Sequence, residues 1–193
     1  MSGGSLIAMA ADEIVSRLPR SRAGPALSAP PAPGPLGAFE LTRYAPDTRP
    51  SEFRGRTLEG HPVSLAELSG RVVLLNFWAT WCLECRPEMP AIERLHREFG
   101  PQGLTVMAVN AREGPPAIRA YARDLGLTFA LVLDSNGDIG KMYGVIGIPT
   151  TFLIGRDGRA VAFAVGPRAW GSPPARAILQ ALLSEPVPRP VGR

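Results

Sequence analysis

The chain has 193 residues, 45% of them hydrophobic and 20% charged, and a formal net charge of +4. That is room for one ordinary domain plus a tail, with enough apolar residues to bury a core. Two cysteines exclude a disulfide-dense scaffold, and no apolar run approaches the ~18–20 residues of a bilayer span.

The positive charge is not a nucleic-acid footprint. Lys141 is the sole lysine, and the arginines alternate with acids at Glu93-Arg94, Arg97-Glu98, Arg112-Glu113 and Arg123-Asp124. Such interleaving predicts a solvated mixed-charge surface and no nucleic-acid partner.

Residues 1–50 hold eight of the 21 prolines (Pro19, Pro25, Pro30, Pro31, Pro33, Pro35, Pro46, Pro50), with Ala, Ser and Gly between them. Proline removes backbone donors and fixes φ, so this stretch reads as a Pro/Ala-rich tail or linker, extended over 23–37. A short helix over 10–18 has little to pack on. The apolar run 6–11 is short and no Lys or Arg precedes Arg17, so a secretory signal fails as written. A leader cut short by a start placed downstream gives the same picture. The folded domain is expected over 51–193.

Residues 53–57 and 61–64 flank Glu59-Gly60 and predict an N-terminal hairpin. The nearly continuous apolar run 71–78 predicts a strand buried on both faces. Residues 83–99 carry Met89, Ile92, Leu95 and Phe99 at helical spacing, closed by Gly100. A strand at 104–109, a helix at 115–125, a strand at 129–133 and a helical turn at 139–143 follow. Strands at 151–154 and 160–165 join through Asp157-Gly158, and 173–183 closes the chain as an amphipathic helix. This order predicts an α/β fold: a mixed central sheet flanked by helices, parallel first and ending in an antiparallel pair.

Both cysteines lie in Trp81-Cys82-Leu83-Glu84-Cys85, between the first buried strand and the long helix. A helix starting at 83 puts Cys82 at its N-cap, where unpaired N–H groups favour thiolate. Cys82 then attacks a disulfide, and Cys85, one turn inward, resolves the mixed disulfide. Other readings of the same residues are two structural cysteines, a zinc site of Cys82, Cys85, His61 and His96, and a peroxidase using Cys82. Zinc is disfavoured by spacing, since His96 falls three turns along a helix. A peroxidase calls for Thr-x-x-Cys with a polarising arginine. No metal and no cofactor are expected.

Residues 52–185 resemble the thioredoxin superfamily, and within it the TlpA/ResA-like thiol–disulfide oxidoreductases. The resemblance rests on Asn76-Phe77-Trp78-Ala79-Thr80-Trp81-Cys82-Leu83-Glu84-Cys85-Arg86-Pro87-Glu88-Met89-Pro90 and on Gly147-Ile148-Pro149-Thr150-Thr151-Phe152-Leu153-Ile154. It implies a thioredoxin-like fold. Pro149 matches the family's cis-proline, which faces the redox pair, so Trp81, Ile148 and Pro149 are the expected substrate contacts. Pro90 matches a proline that kinks the active-site helix.

Two positions depart from ordinary thioredoxins. Asn76 stands where they carry a buried aspartate, and asparagine takes no proton at neutral pH. Glu88 matches the acidic residue that TlpA/ResA-like proteins place after the second cysteine, and one helical turn suits it to accept the Cys85 proton. The competing reading of Glu88 is a solvated first-turn carboxylate. Glu84 replaces a proline common in relatives, and a carboxylate there disfavours a neighbouring thiolate.

The resemblance implies an enzyme that reduces disulfides in protein substrates, cytochrome c maturation among its settings, with electrons from a membrane thiol donor. It also implies a cell-envelope location, against which the leader leaves a cytoplasmic one open. A monomer is expected. Two further functions use the same fold: thiol peroxidase, and a copper or haem delivery module that binds through sulfur.

Overall fold

A computed structural model describes residues 35–187. The expected helix at 10–18 and the residues before 35 lie outside that range. Among the described residues eight strands form one sheet: β1 (Thr42–Arg43), β2 (Arg54–Thr57), β3 (Pro62–Ser64), β4 (Val72–Trp78), β5 (Leu104–Ala111), β6 (Ala130–Asp134), β7 (Thr150–Ile154) and β8 (Ala160–Val165). Their spatial order is β1-β8-β7-β4-β5-β6-β2-β3. β4, β5 and β6 run parallel, and the remaining pairs are antiparallel. The hairpin sits where the sequence put it, with Gly60 at φ +89° in its turn.

The helices are α1 (Pro35–Ala38), α2 (Glu88–Phe99), α3 (Pro115–Leu125), α4 (Asp138–Met142) and α5 (Pro173–Ser184). Every residue of β4 is buried because both of its faces are covered. Side chains alternate along a strand, so Leu74 and Trp78 face one way and Leu75 and Phe77 the other. The first pair packs with Met89, Ile92 and Leu95 of α2, Ile118 of α3 and Ile178 and Leu179 of α5. The second packs with Ile139, Tyr143, Phe152 and Phe163. Each fully buried Leu or Ile here contributes about 1.5–3 kcal/mol.

Two boundaries differ from the sequence reading. The domain does not begin at Ser51: Leu36, Phe39 and Leu41 are buried in the larger core, and Thr42 pairs with Phe163 across β1 and β8. The prolines of this stretch masked three apolar residues that have a partner in α5 and Trp170. Nor does the long helix begin at 83. α2 starts at Glu88, after the consecutive turns that hold the cysteines. An α-helical ladder through 83–90 would need N–H donors at residues 87 and 90, and both are proline. Pro90 therefore sits in the first turn, where a missing N–H costs nothing, and it interrupts no bond of the helix.

Opposite the cysteines, Arg156 ties the sheet's far end together. Its guanidinium donates to the carbonyls of Gly70, Gln102 and Leu183, each at 3.0 Å. The redox end of the sheet is thus left to the loops after β4 and β5 and before β7.

Candidate active site

Cys82 and Cys85 form a disulfide, with sulfurs 2.07 Å apart. Instead of a helix N-terminus, the pair rests on three successive turns. Cys82 N–H donates to Ala79 O at 3.2 Å, Cys85 N–H to Cys82 O at 3.2 Å and Glu88 N–H to Cys85 O at 3.1 Å. The Cys85 N–H also lies 3.1 Å from Cys82 Sγ. The N-cap expectation for Cys82 is corrected accordingly: a local backbone donor faces its sulfur, and the α-helix begins six residues later. Cys82 is 6% exposed and Cys85 1%.

The rim of the pair is apolar. Trp81 and Leu83 are exposed at 66% and 86%, flanking Cys82 on both sides. Ile146, also exposed, precedes the β7 loop. The Ile148–Pro149 bond is cis, as the resemblance implied. Because Phe77 pairs with Thr150, the antiparallel β4–β7 register brings Pro149 to the edge of the sheet where β4 runs out toward Cys82. Gly166 N–H donates to Pro149 O at 2.8 Å. Ile148 is half-buried and packs against both cores, including the cluster that holds the two cysteines.

Glu88 is no surface carboxylate. It is 3% exposed. Its Oε1 accepts the Arg168 backbone N–H and the Trp170 indole N–H, the latter at 3.2 Å. Oε2 is buried with no protein partner. Burial pushes the Glu88 carboxyl up to about 7, against the opposing pull of the Arg168 N–H, the Trp170 N–H and the Arg168 guanidinium; Glu84 adds a small push upward. A carboxyl so placed holds or gives a proton near neutral pH.

Asn76 is fully buried on the Leu74–Trp78 face of β4. Its Nδ2 donates to Thr151 Oγ1 at 2.9 Å, tying it sideways to β7. Glu84 is exposed. His96 stands edge-on to Phe129, ring centroids 6.0 Å apart, and His61 is exposed on the hairpin, so the four residues of the zinc reading are spread over different elements.

One site feature carried no sequence motif. Glu113, in the loop after β5, accepts the Thr80 N–H at 2.7 Å, the Thr80 hydroxyl and Asn110 Nδ2 at 2.7 Å. The Trp78–Asn110 pairing of β4 with β5 puts the two loops side by side. Glu113 thereby anchors the chain two residues before Cys82. The same contact bears on the peroxidase reading: Ala79, not threonine, stands three residues before Cys82, and the Thr80 hydroxyl is committed to Glu113.

Residues 44–162 match the AhpC/TSA family. The chain is 38% identical over 123 residues to the thiol-disulfide oxidoreductase ResA of Bacillus thuringiensis subsp. konkukian, covering 64% of this chain and 68% of that one. It is 43% identical over 110 residues to the thioredoxin-like protein YneN of Bacillus subtilis, covering 55% of this chain and 64% of that one. Among solved structures, a thiol:disulfide interchange protein of the thioredoxin family from Chlorobium tepidum superposes with a TM-score of 0.66 at 27% identity, covering 72% of this chain and 99% of that one. With its Cys-x-x-Cys disulfide at the end of a thioredoxin-like sheet, the chain belongs to the AhpC/TSA family of thioredoxin-like proteins and is a thiol–disulfide oxidoreductase of the ResA type.

Proposed function

We propose that the protein reduces disulfides in polypeptide substrates, with Cys82 as nucleophile, Cys85 as resolving thiol and Glu88 as the proton acceptor for Cys85. The observation that carries this reading is the buried Glu88 carboxyl, poised near neutrality at the residue whose N–H bonds the Cys85 carbonyl. The reduced Cys82 thiolate attacks one sulfur of the substrate disulfide; a Cys82–substrate bond forms, and the other substrate sulfur leaves and takes up a proton. Cys85 passes its proton to Glu88 and attacks Cys82 Sγ. The second substrate thiol is released and the Cys82–Cys85 disulfide remains. Two electrons from an upstream dithiol restore the pair.

Trp81, Ile148 and Pro149 form the contact surface for the substrate chain. The exposed apolar side chains of Trp81 and of Leu83 beside them suit an unfolded or extended segment better than a small thiol. The reducing direction is supported by Glu84 and Glu88, since carboxylates beside the pair disfavour thiolates and so favour the disulfide form of the enzyme. By its resemblance to TlpA/ResA-like proteins, the enzyme works in the cell envelope on substrates such as apocytochrome c, drawing electrons from a membrane donor. Among the described residues no helix is long and apolar enough to cross a membrane.

The test is a competition. Reduced enzyme is mixed by stopped flow with a cysteine-containing peptide disulfide or with hydrogen peroxide at equal concentration. Faster oxidation by the peptide supports the reductase; faster oxidation by peroxide overturns it in favour of a peroxidase.

A further inference from the structure

The two oxygens of Glu88 are not equivalent. Oε1 receives two N–H donors from the loop between β8 and α5, the Arg168 backbone and the Trp170 indole. Oε2 is buried and receives none from the protein. Trp170 is itself 1% exposed and is backed by Phe39, whose ring meets it edge-on at 71° with centroids 5.1 Å apart. The Arg168 guanidinium reaches back to the Glu40 carbonyl at 3.1 Å and to the Pro167 carbonyl at 2.8 Å. The loop that grips Glu88 is therefore braced by the segment leading into β1.

We propose that Trp170 is a positioning residue for Glu88: its indole N–H, with the Arg168 N–H, fixes Oε1, so that Oε2 is the oxygen that exchanges the proton. This rests on the reading of Glu88 as the acceptor for Cys85. The chemistry supports the division of labour. An oxygen already accepting two hydrogen bonds has its lone pairs committed, and protonating it would displace a donor into a buried site without a partner. Protonation at Oε2 keeps both bonds. The donors also fix the rotamer of a side chain on the first residue of α2, where no preceding helical turn restrains it. The charged groups that act on Glu88 are the Arg168 guanidinium from the β8–α5 loop and, from its own side, Glu84; the Cys85 carbonyl accepts the Glu88 N–H, and its sulfur is held in the disulfide.

A donor that favours the ionised form, once removed, raises the pH at which the group ionises. Trp170→Phe keeps an aromatic ring against Phe39 and deletes only the N–H and one ring. It should move the Glu88 titration upward by about one pH unit, the expectation for losing one hydrogen bond to a charged group.

The decisive measurement needs no substitution at Trp170. Indole ¹⁵N–¹H spectra of the oxidised wild type across pH 5 to 9 should show the Trp170 resonance titrating with Glu88, and Glu88→Gln should abolish that titration. A Trp170 indole that stays flat in the wild type overturns the proposal. In parallel, the pH profile of the resolving step should shift upward in Trp170→Phe and stay in place in Phe39→Leu, which loosens the packing but spares the hydrogen bond. An equal shift in Phe39→Leu overturns the proposal, because packing alone then suffices. The failure of the underlying reading has its own signature, a resolving-step profile identical in wild type and Glu88→Gln.

Discussion

The Cys85 backbone N–H points at Cys82 Sγ from 3.1 Å, while no more than 1% of Cys85 meets solvent. The donor stabilises negative charge on the first sulfur, and burial opposes it on the second. The two thiols should therefore differ in role. Cys82→Ser abolishes peptide-disulfide reduction, and Cys85→Ser arrests at a mixed disulfide with substrate, detectable by mass spectrometry without reductant. Turnover surviving in Cys82→Ser but lost in Cys85→Ser would reverse the assignment.

Glu113 gathers three donors, two from Thr80 in the loop after β4 and one from Asn110 near the end of β5. Removing the carboxylate leaves the Thr80 N–H and the half of Asn110 that faces it without acceptors. Glu113→Ala should cost about 1–3 kcal/mol of stability in urea denaturation. It should also slow disulfide exchange, since the turn carrying Cys82 loses its anchor to β5. A variant as stable and as fast as wild type would mean that water replaces the carboxylate without loss.

Glu93 is a carboxylate with the opposite electrostatics to Glu88. Burial alone would raise its carboxyl, but the Thr128 hydroxyl at 2.6 Å, the Thr128 N–H at 2.8 Å and Arg97 Nε at 2.6 Å outweigh burial and hold it below the ordinary carboxylate range. Its contribution is fully present above the unfolded value and is lost as pH falls through the lower folded value. Glu93→Gln should destabilise the protein by about 1–2 kcal/mol at pH 7 and flatten the acid limb of its stability curve. Equal loss of stability in wild type and variant on acidification would show that other carboxylates govern acid unfolding.

Much of this was legible in the sequence because the signals are local. The β4 run, the Cys-x-x-Cys and the Asp157-Gly158 turn each encode their outcome within a few residues. The helix starts later than a strand-to-helix junction at the cysteines suggests, because apolar spacing at Met89, Ile92 and Leu95 leaves the start unmarked and Pro87 and Pro90 decide it through donors they lack. Leu36, Phe39 and Leu41 were missed for a related reason: proline-rich composition says nothing of a partner such as Trp170, which lies far along the chain. Glu113 and Trp170 could not be read at all. Each acts through a contact made by the fold, 33 residues from Thr80 in one case and 82 from Glu88 in the other.

Glu88 supplies the sharpest remaining test, because it links stability and rate with opposite signs. Its carboxyl rises from 4.5 to about 7 on folding, with burial as the main cause. Between those values the folded chain holds a proton that the unfolded chain has released, so stability falls as pH rises through that window. Above it the full penalty applies, up to about 3–4 kcal/mol at ~1.4 kcal/mol per pH unit. Gln keeps an oxygen that can accept from Arg168 and Trp170 and never ionises. Glu88→Gln should therefore match wild type in stability below the window and exceed it at pH 8. The same substitution removes the acceptor for the Cys85 proton, so the resolving step should slow by about 10²-fold, the low end for general base assistance, since thiols ionise readily. Chemical denaturation at pH 4 and pH 8, paired with stopped-flow reduction of a peptide disulfide over pH 5 to 9, checks both halves. A variant more stable at pH 8 yet with an unchanged rate profile would mean that Glu88 is buried at a structural cost but takes no part in proton transfer.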